Sequence, residues 1–254
     1  METVKENKIF SRQFYLLPGE CNSEQEMPLW LLVNRIIEVA TLHADSLGIG
    51  YKRLSRDNQA WVLSRLAIEM ERYPKVGENY TLSTWIESFN RHFSERNIEI
   101  LDENDHPIGY ARTIWSVIDT KSRTSCDISA LCSMADNVAD KECPIDHQSK
   151  IKNVDRLQES RYTFRYSDID FNRHVNTVRY ICAILNMFPL QFYDAYSIHR
   201  FEITFIKETY IDTEVTICID DSNPTDCKAE ISDGDTPLCR ARIVFSPRNK
   251  DNRQ

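Results

Sequence analysis

Glycines are few, paired cysteines and long apolar runs are missing, and basic residues are outnumbered; each lack removes a class of function. Only six glycines occur in 254 residues. Phosphate-cradling loops use glycines in clusters so that backbone N–H groups approach the ligand closely. Gly48-Ile49-Gly50 lacks a third glycine and reads as the end of a helix. The eight cysteines (Cys21, Cys126, Cys132, Cys143, Cys182, Cys218, Cys227 and Cys239) contain no C-x-x-C pair, which argues against a zinc ribbon or a thioredoxin-like centre. They read as reduced thiols, mostly buried as small apolar residues. No apolar run approaches the roughly 20 residues needed to span a bilayer. Residues 1–10 are polar and carry no signal-peptide core, so the expected location is the cytoplasm. The net charge of −8 argues against sequence-independent nucleic-acid binding, which needs a basic field.

What is present is the composition of a soluble globular protein: 41% hydrophobic, 10% aromatic and 28% charged. The length suits one large domain or two ordinary ones. A weak internal repeat favours two. Arg65-Leu-Ala-Ile-Glu-Met matches Arg200-Phe-Glu-Ile-Thr-Phe at an offset of 135 positions, which also sets Tyr80 on Val215 and Leu82 on Ile217. Pro107-Ile-Gly-Tyr-Ala-Arg-Thr-Ile-Trp-Ser matches Pro237-Leu-Cys-Arg-Ala-Arg-Ile-Val-Phe-Ser at an offset of 130. Two matches in the same order point to one duplicated unit, shortened in its second copy between Asp221 and Lys228.

Each copy reads as a short strand, an apolar helix and a run of strands, an α+β order. In the first copy a strand is expected over 10–17 and a helix from Pro28, which suits a first turn, to Leu47, with Gly48 ending it. Leu29, Leu32, Val33, Ile36, Ala40 and Leu47 hold helical spacing, and Trp30 and Ile37 widen the apolar face, as in a helix buried inside a curved sheet. Strands are expected over 61–68, 80–87 and 111–118. In the second copy a strand is expected over 162–166, a helix over 175–187, and strands over 201–206, 214–219, 227–231 and 238–245. A charged connector over 119–159, with helical turns around 128–138, separates the copies. The division falls near Pro144, giving units 1–144 and 145–254.

Before the second helix lies Ser167-Asp168-Ile169-Asp170-Phe171-Asn172-Arg173-His174-Val175-Asn176. Helix capping accounts for one or two of these residues, but less easily for Asp170, Asn172 and His174 at alternating positions; capping and chemistry stay open at this point. A calcium loop fails, because Arg173 and Arg179 stand where glycine and glutamate are required. No Cys or His lies at zinc spacing from His174, and no G-x-S-x-G serine elbow occurs.

The run Asp168-Ile-Asp-Phe-Asn-Arg-His-Val-Asn-Thr-Val-Arg-Tyr resembles the D-x-N-x-H-V-N-N-x-x-Y signature of the plant-plastid type of acyl-acyl-carrier-protein thioesterases, which also occur in bacteria. Ile203-Thr-Phe-Ile-Lys-Glu208-Thr209 is similar to a second family segment carrying a glutamate. Phe10-Ser-Arg-Gln and Glu71-Arg-Tyr-Pro-Lys-Val-Gly extend the likeness into the first half. The resemblance implies a tandem hotdog, two copies of a central helix wrapped by an antiparallel sheet, with the catalytic set on Asp170, Asn172, His174 and Glu208 in the second copy alone. At the offset of 135, Glu208 meets Tyr73, so the first copy lacks the carboxylate. Where the family often has a cysteine, this chain has Thr209, which removes a thiol mechanism at that position.

The implied reaction is hydrolysis of a fatty acyl thioester on acyl carrier protein, with no cofactor and no metal. Asp170 or Glu208 acts as general base or nucleophile, Asn172 and His174 orient it, and the helix starting near Val175 offers N–H groups to the thioester oxygen. One such donor is worth about 3 kcal/mol in the transition state. The first copy is left to supply an acyl slot, with Trp30, Leu32, Trp85 and Trp115 as candidate walls. Between Gln148 and Arg179, seven basic residues (Lys150, Lys152, Arg156, Arg161, Arg165, Arg173, Arg179) face four acidic ones, an excess of +3 that could steer an acidic carrier. An acyl-coenzyme A thioesterase, a catalytically silent acyl-binding hotdog and a hotdog dehydratase are the alternatives. Hotdog sheets usually pair, and a tandem chain meets that need either internally as a monomer or as a homodimer.

Overall fold

The structure is a computed structural model that describes residues 8–129, 137–152, 154–155 and 157–248. The first half contains β1 (Ile9–Tyr15), α1 (Leu29–Ser46), α2 (Tyr51–Leu54), β2 (Gln59–Met70), β3 (Asn79–Phe89), β4 (Ser94–Leu101) and β5 (Pro107–Asp119). The second contains β6 (Gln158–Thr163), α3 (Thr177–Leu185), α4 (Leu190–Ala195), β7 (Tyr196–Phe205), β8 (Glu214–Asp220), β9 (Asp226–Asp233) and β10 (Thr236–Pro247).

All ten strands join in one antiparallel sheet, ordered β1-β3-β4-β5-β2-β7-β10-β9-β8-β6. Read outward from the centre, both halves follow the same order. The halves meet where β2 pairs β7, with Leu66 opposite Ile203 and Ile68 opposite Phe201. The stretches matched at the offset of 135 therefore lie on these two central strands. The arrangement is a large antiparallel sheet with few helices, a hotdog-like fold. Among the described residues, no helix is long and apolar enough to cross a membrane.

Helix α1 follows its apolar spacing. Leu29, Leu32, Val33, Ile36 and Val39 are buried, and Gly48, at φ +72°, ends the helix in the left-handed conformation. Pro28 sits one residue outside the helix, its carbonyl accepting from Leu31 and Leu32 N–H. Helices α1 and α3 contribute to one continuous core with the inner face of the sheet. Burying each such aliphatic side chain contributes about 1.5–3 kcal/mol.

The sequence reading missed three elements, one of them the four-residue α2 just beyond Gly48. Strand β4 carries Ser94 and Arg96 on the same inner face as Ile98 and Ile100, which breaks the apolar alternation that marks a strand. Helix α4 is only six residues long, too short to build a periodic signal. Helix α3 is shorter than expected and starts at Thr177. The helical turns expected around 128–138 fall largely outside the described residues.

Residues 141–145 of the connector lie against the outer face of the sheet. Trp85 Nε1 donates to the Lys141 carbonyl at 2.8 Å, and Arg112 donates to the carbonyls of Ile145 and Cys143, each at 2.8 Å. At the opposite edge of tolerance, Gly109 on β5 faces Met70 of β2. A Cβ there would collide with Met70 Sδ and lie 2.9 Å from the Glu69 carbonyl oxygen. The thioether can swing away, but the backbone oxygen cannot. Gly109→Ala is expected to cost about 1–3 kcal/mol, read as a lowered urea midpoint at unchanged slope.

Candidate active site

The segment from Asp168 to Asn176 is a tight loop closed by backbone bonds. Asp170 N–H donates to the His174 carbonyl at 2.8 Å, and Ile169 bridges Val175. The Asp170 carboxylate accepts Asn172 N–H at 2.8 Å and His174 N–H at 3.1 Å through one oxygen, Oδ1. Arg173 takes φ +66°, a left-handed conformation that a non-glycine residue adopts only when its surroundings demand it.

Capping falls to other residues. Asn176 is the N-cap of α3, its Oδ1 accepting Val178 N–H at 3.1 Å. Buried Asp168 accepts Arg165 N–H at 2.8 Å and the Tyr162 hydroxyl at 3.2 Å. The N–H groups of Val175 and Asn176 are spent on the Thr209 and Asp168 carbonyls. Among the described residues, Thr177 N–H at the first turn of α3 has no acceptor, and Thr177 lines the cavity described below.

Glu208 follows β7, and the bond from Val175 N–H to the Thr209 carbonyl, 2.9 Å, ties its segment to the loop. His174 Nδ1 lies 3.6 Å from Glu208 Oε2. Arg123, in the turn after β5, forms an ion pair with the same oxygen. The His174 ring packs edge-on against Tyr210 at 5.1 Å. Asp170, His174 and Glu208 are thus brought together, while Asn172 sits in the same loop with an exposed side chain. At the position matched to Glu208 in the first half, buried Tyr73 donates to the Ile198 carbonyl at 3.1 Å.

Partial burial lowers the His174 pKa below its ordinary 6.5; the Arg123 cation lowers it further, against an opposing pull from Asp170. His174 is therefore neutral at pH 7. Protonated, it would bind the Glu208 carboxylate and withdraw it from chemistry. The acid limb of kcat/KM is expected to fall below pH 6.5, and in Arg123→Gln it should move upward because the repelling cation is gone. The linkage has the same sign. With the folded pKa depressed, the contribution to stability is complete above pH 6.5 and is lost as pH falls towards the folded value, measurable by thermal unfolding across that range.

These groups stand at one side of a cavity of about 1120 Å³ that reaches into the first half. Ile37, Ala40 and Ala44 of α1, with Trp61 and Trp115, line it together with Asp170, His174 and Glu208. Phe171, 78% exposed, meets Tyr51 edge-on at 5.8 Å, joining the halves beside the cavity. Of the four expected slot walls, only Trp115 lines the cavity. Leu32 is in the core, Trp30 is at the surface, and Trp85 points out of the sheet to the connector. Arg123, Tyr210 and Thr177 were not anticipated. Nothing in a lone Arg123 at a surface turn signals its contact with a residue 85 positions away.

Comparison with known proteins extends this. Residues 7–133 match the acyl-ACP thioesterase N-terminal domain, and residues 151–247 match the acyl-ACP thioesterase C-terminal domain. An acyl-ACP thioesterase from Bacteroides thetaiotaomicron is 35% identical, with TM-score 0.89 over 95% of this chain and 99% of that one. The 12:0-ACP thioesterase of Umbellularia californica has the same fold, with TM-score 0.84 at 20% identity over 95% of this chain and 98% of that one. A chloroplastic dodecanoyl-acyl-carrier-protein hydrolase of Cinnamomum camphora is 26% identical over 81% of this chain and 57% of its own length. The chain thus spans about half the length of the curated relatives it matches, such as 53% of a cotton (Gossypium hirsutum) palmitoyl-acyl carrier protein thioesterase, which is 24% identical over 81% of this chain. The chain belongs to the acyl-ACP thioesterase family.

Proposed function

We propose that the chain hydrolyses fatty acyl groups from acyl carrier protein, releasing free fatty acid in fatty acid biosynthesis. The observation that carries this reading is the placement of Glu208 and His174 at one side of a large, mainly apolar cavity, within a member of this family. The same strand order in both halves supports a tandem hotdog divided into 1–144 and 145–254. The first unit provides the acyl slot and the second the chemistry, although Arg123 reaches across.

In this reading Glu208 is the general base. It takes a proton from water, and the hydroxide oxygen bonds to the thioester carbon. The carbonyl π electrons move onto oxygen, where Thr177 N–H at the start of α3 is placed to donate to them. Collapse breaks the C–S bond, and the thiolate leaves with the proton. His174, neutral and beside Glu208, orients the carboxylate, and Asn172, on the cavity lining, helps hold the water. Asp170 acts through the loop, because its Oδ1 is already engaged by two backbone N–H groups.

For the carrier, the basic stretch is weaker than its count suggests. Arg161 pairs with Glu214 at 2.7 Å and Arg165 with Asp212 at 3.0 Å, both exposed; Arg156 lies outside the described residues. Exposed Lys207, with Phe171 and Tyr210 on the cavity lining and Arg173 in the same loop as Phe171, leaves a mixed basic and apolar rim for an acidic carrier. The test is hydrolysis of matched acyl-acyl-carrier-protein and acyl-coenzyme A substrates. The carrier-linked substrate is expected to have the higher kcat/KM, with an advantage that shrinks as salt rises. Equal or higher rates on coenzyme A would favour that carrier, and binding without turnover would identify an acyl-binding protein.

A further inference from the structure

The cavity has a polar wall remote from the catalytic loop, and one group in that wall is unusual. Arg96 of β4 is 5% exposed and lines the cavity. Among the described residues it bonds through Nη1 alone, to His43 Nδ1 at 2.7 Å and to Thr84 Oγ1 at 3.2 Å. Among the described residues no carboxylate pairs with it. Burial alone pulls its pKa down to about 10, so the guanidinium is still charged at neutral pH. A buried cation without a counter-ion is costly, and Nε and Nη2, unbonded among the described residues and not fully enclosed, leave N–H donors to the cavity that Arg96 lines. Asn34 and Thr41 of α1 and Ser94 of β4 add polar lining to the cavity.

The sheet register places this group. Arg96 lies opposite Thr113 of β5, Thr113 opposite Leu66 of β2, and Leu66 opposite Ile203 of β7. Arg96 is thus three strand spacings, about 14 Å along the sheet, from the strand that leads to Glu208. An acyl chain whose thioester sits at Glu208 would bring a remote carbon, not its carbonyl, to Arg96. A plain hydrocarbon there would leave the cation and its free donors unanswered.

From this juxtaposition we infer that the acyl substrate carries a hydrogen-bond-accepting oxygen, as a carboxylate or a hydroxyl, on a carbon remote from the thioester, and that Arg96 binds it. This rests on the thioesterase reading and narrows its substrate class. A carboxylate answers both the charge and the donors through paired N–H bonds; a hydroxyl answers the donors alone.

The test compares acyl-acyl-carrier-protein substrates of equal length ending in methyl, hydroxyl or carboxylate, at several chain lengths. At the best length, an oxygen-ended chain is expected to exceed the methyl-ended one in kcat/KM by on the order of tenfold or more, and Arg96→Met should abolish that ratio. Carboxylate preference and hydroxyl preference separate the two sources. Faster turnover of methyl-ended chains at every length, or an unchanged ratio in Arg96→Met, overturns the inference while leaving the thioesterase intact. Calorimetric binding of free acids to the unaltered protein gives a second arm that needs neither turnover nor a variant. An α,ω-dicarboxylic acid or an ω-hydroxy acid should bind tighter than the plain monocarboxylic acid of equal length, and equal or weaker binding of both overturns the inference. If no thioester is cleaved, the thioesterase reading fails and this binding arm still decides the role of Arg96.

Discussion

Glu208→Ala is expected to lower kcat on acyl-acyl carrier protein by about 10²–10⁴-fold, the range of a positioned general base, with KM little changed. The carboxylate follows β7 and meets both His174 and Arg123 at one oxygen, Oε2. That leaves Oε1 free to take a proton from water. Partial exposure of the side chain, 33%, admits the water. Because Glu208 supports no core packing, the thermal midpoint of the variant should stay close to that of the parent. Glu208→Gln preserves shape and hydrogen bonding but removes the proton acceptor, and it should be as inactive. Turnover within tenfold of the parent in Glu208→Gln would remove Glu208 from the chemistry. Arg123→Gln provides a control: it frees the carboxylate from its ion pair, so the acid limb should move while turnover at pH 8 survives.

Asp170 separates into two substitutions with opposite expectations. Its Oδ1 accepts two backbone N–H groups and holds the loop in which Arg173 is left-handed. Asp170→Ala strands both donors, at a cost of about 1–3 kcal/mol each when buried and less where water replaces the carboxylate. The loop should then loosen, with turnover falling by about 10²-fold or more as His174 loses its place. Asp170→Asn keeps an acceptor oxygen at the same position and loses only the charge. It should retain activity within about tenfold of the parent. If the asparagine variant is as inactive as the alanine variant, Asp170 takes part in proton transfer and its role is more than architectural.

Much of the fold was legible because α1, α3 and most strands carry their period openly. Helix α1 repeats apolar residues at helical spacing up to Gly48, and the matched segments at 65 and 200 fall on the central strands. The strand that escaped, β4, did so because Ser94 and Arg96 face inward. The polarity that hid the strand is the same polarity that makes the cavity wall chemically distinctive. Resemblance to family motifs singled out Asp170, Asn172, His174 and Glu208, and the structure brings Asp170, His174 and Glu208 together with Asn172 exposed in the same loop. Spacing alone could not separate Asp170, which shapes the loop, from Asp168 and Asn176, which bond the loop and the helix end. Arg123 and Thr177 were illegible for different reasons. Arg123 reaches Glu208 only because the turn after β5 comes close to the segment after β7. Thr177 enters the proposed mechanism through a backbone N–H, which every residue but proline possesses. The acyl slot was also misread in part: of the large apolar residues, Trp85 serves the outer face, and only the fold distinguishes it from Trp115.

The account places thioester chemistry at Glu208 and the acyl chain in the first half, along α1. The most direct test is a crystal structure of the chain bound to an acyl-acyl-carrier-protein analogue in which an amide replaces the thioester. The prediction is an amide carbon facing Glu208, its oxygen within hydrogen-bond distance of Thr177 N–H, and an acyl chain running past Ile37 and Trp115 towards Arg96. An acyl chain outside that cavity, or an amide carbon beyond the reach of a water held by Glu208, would contradict it.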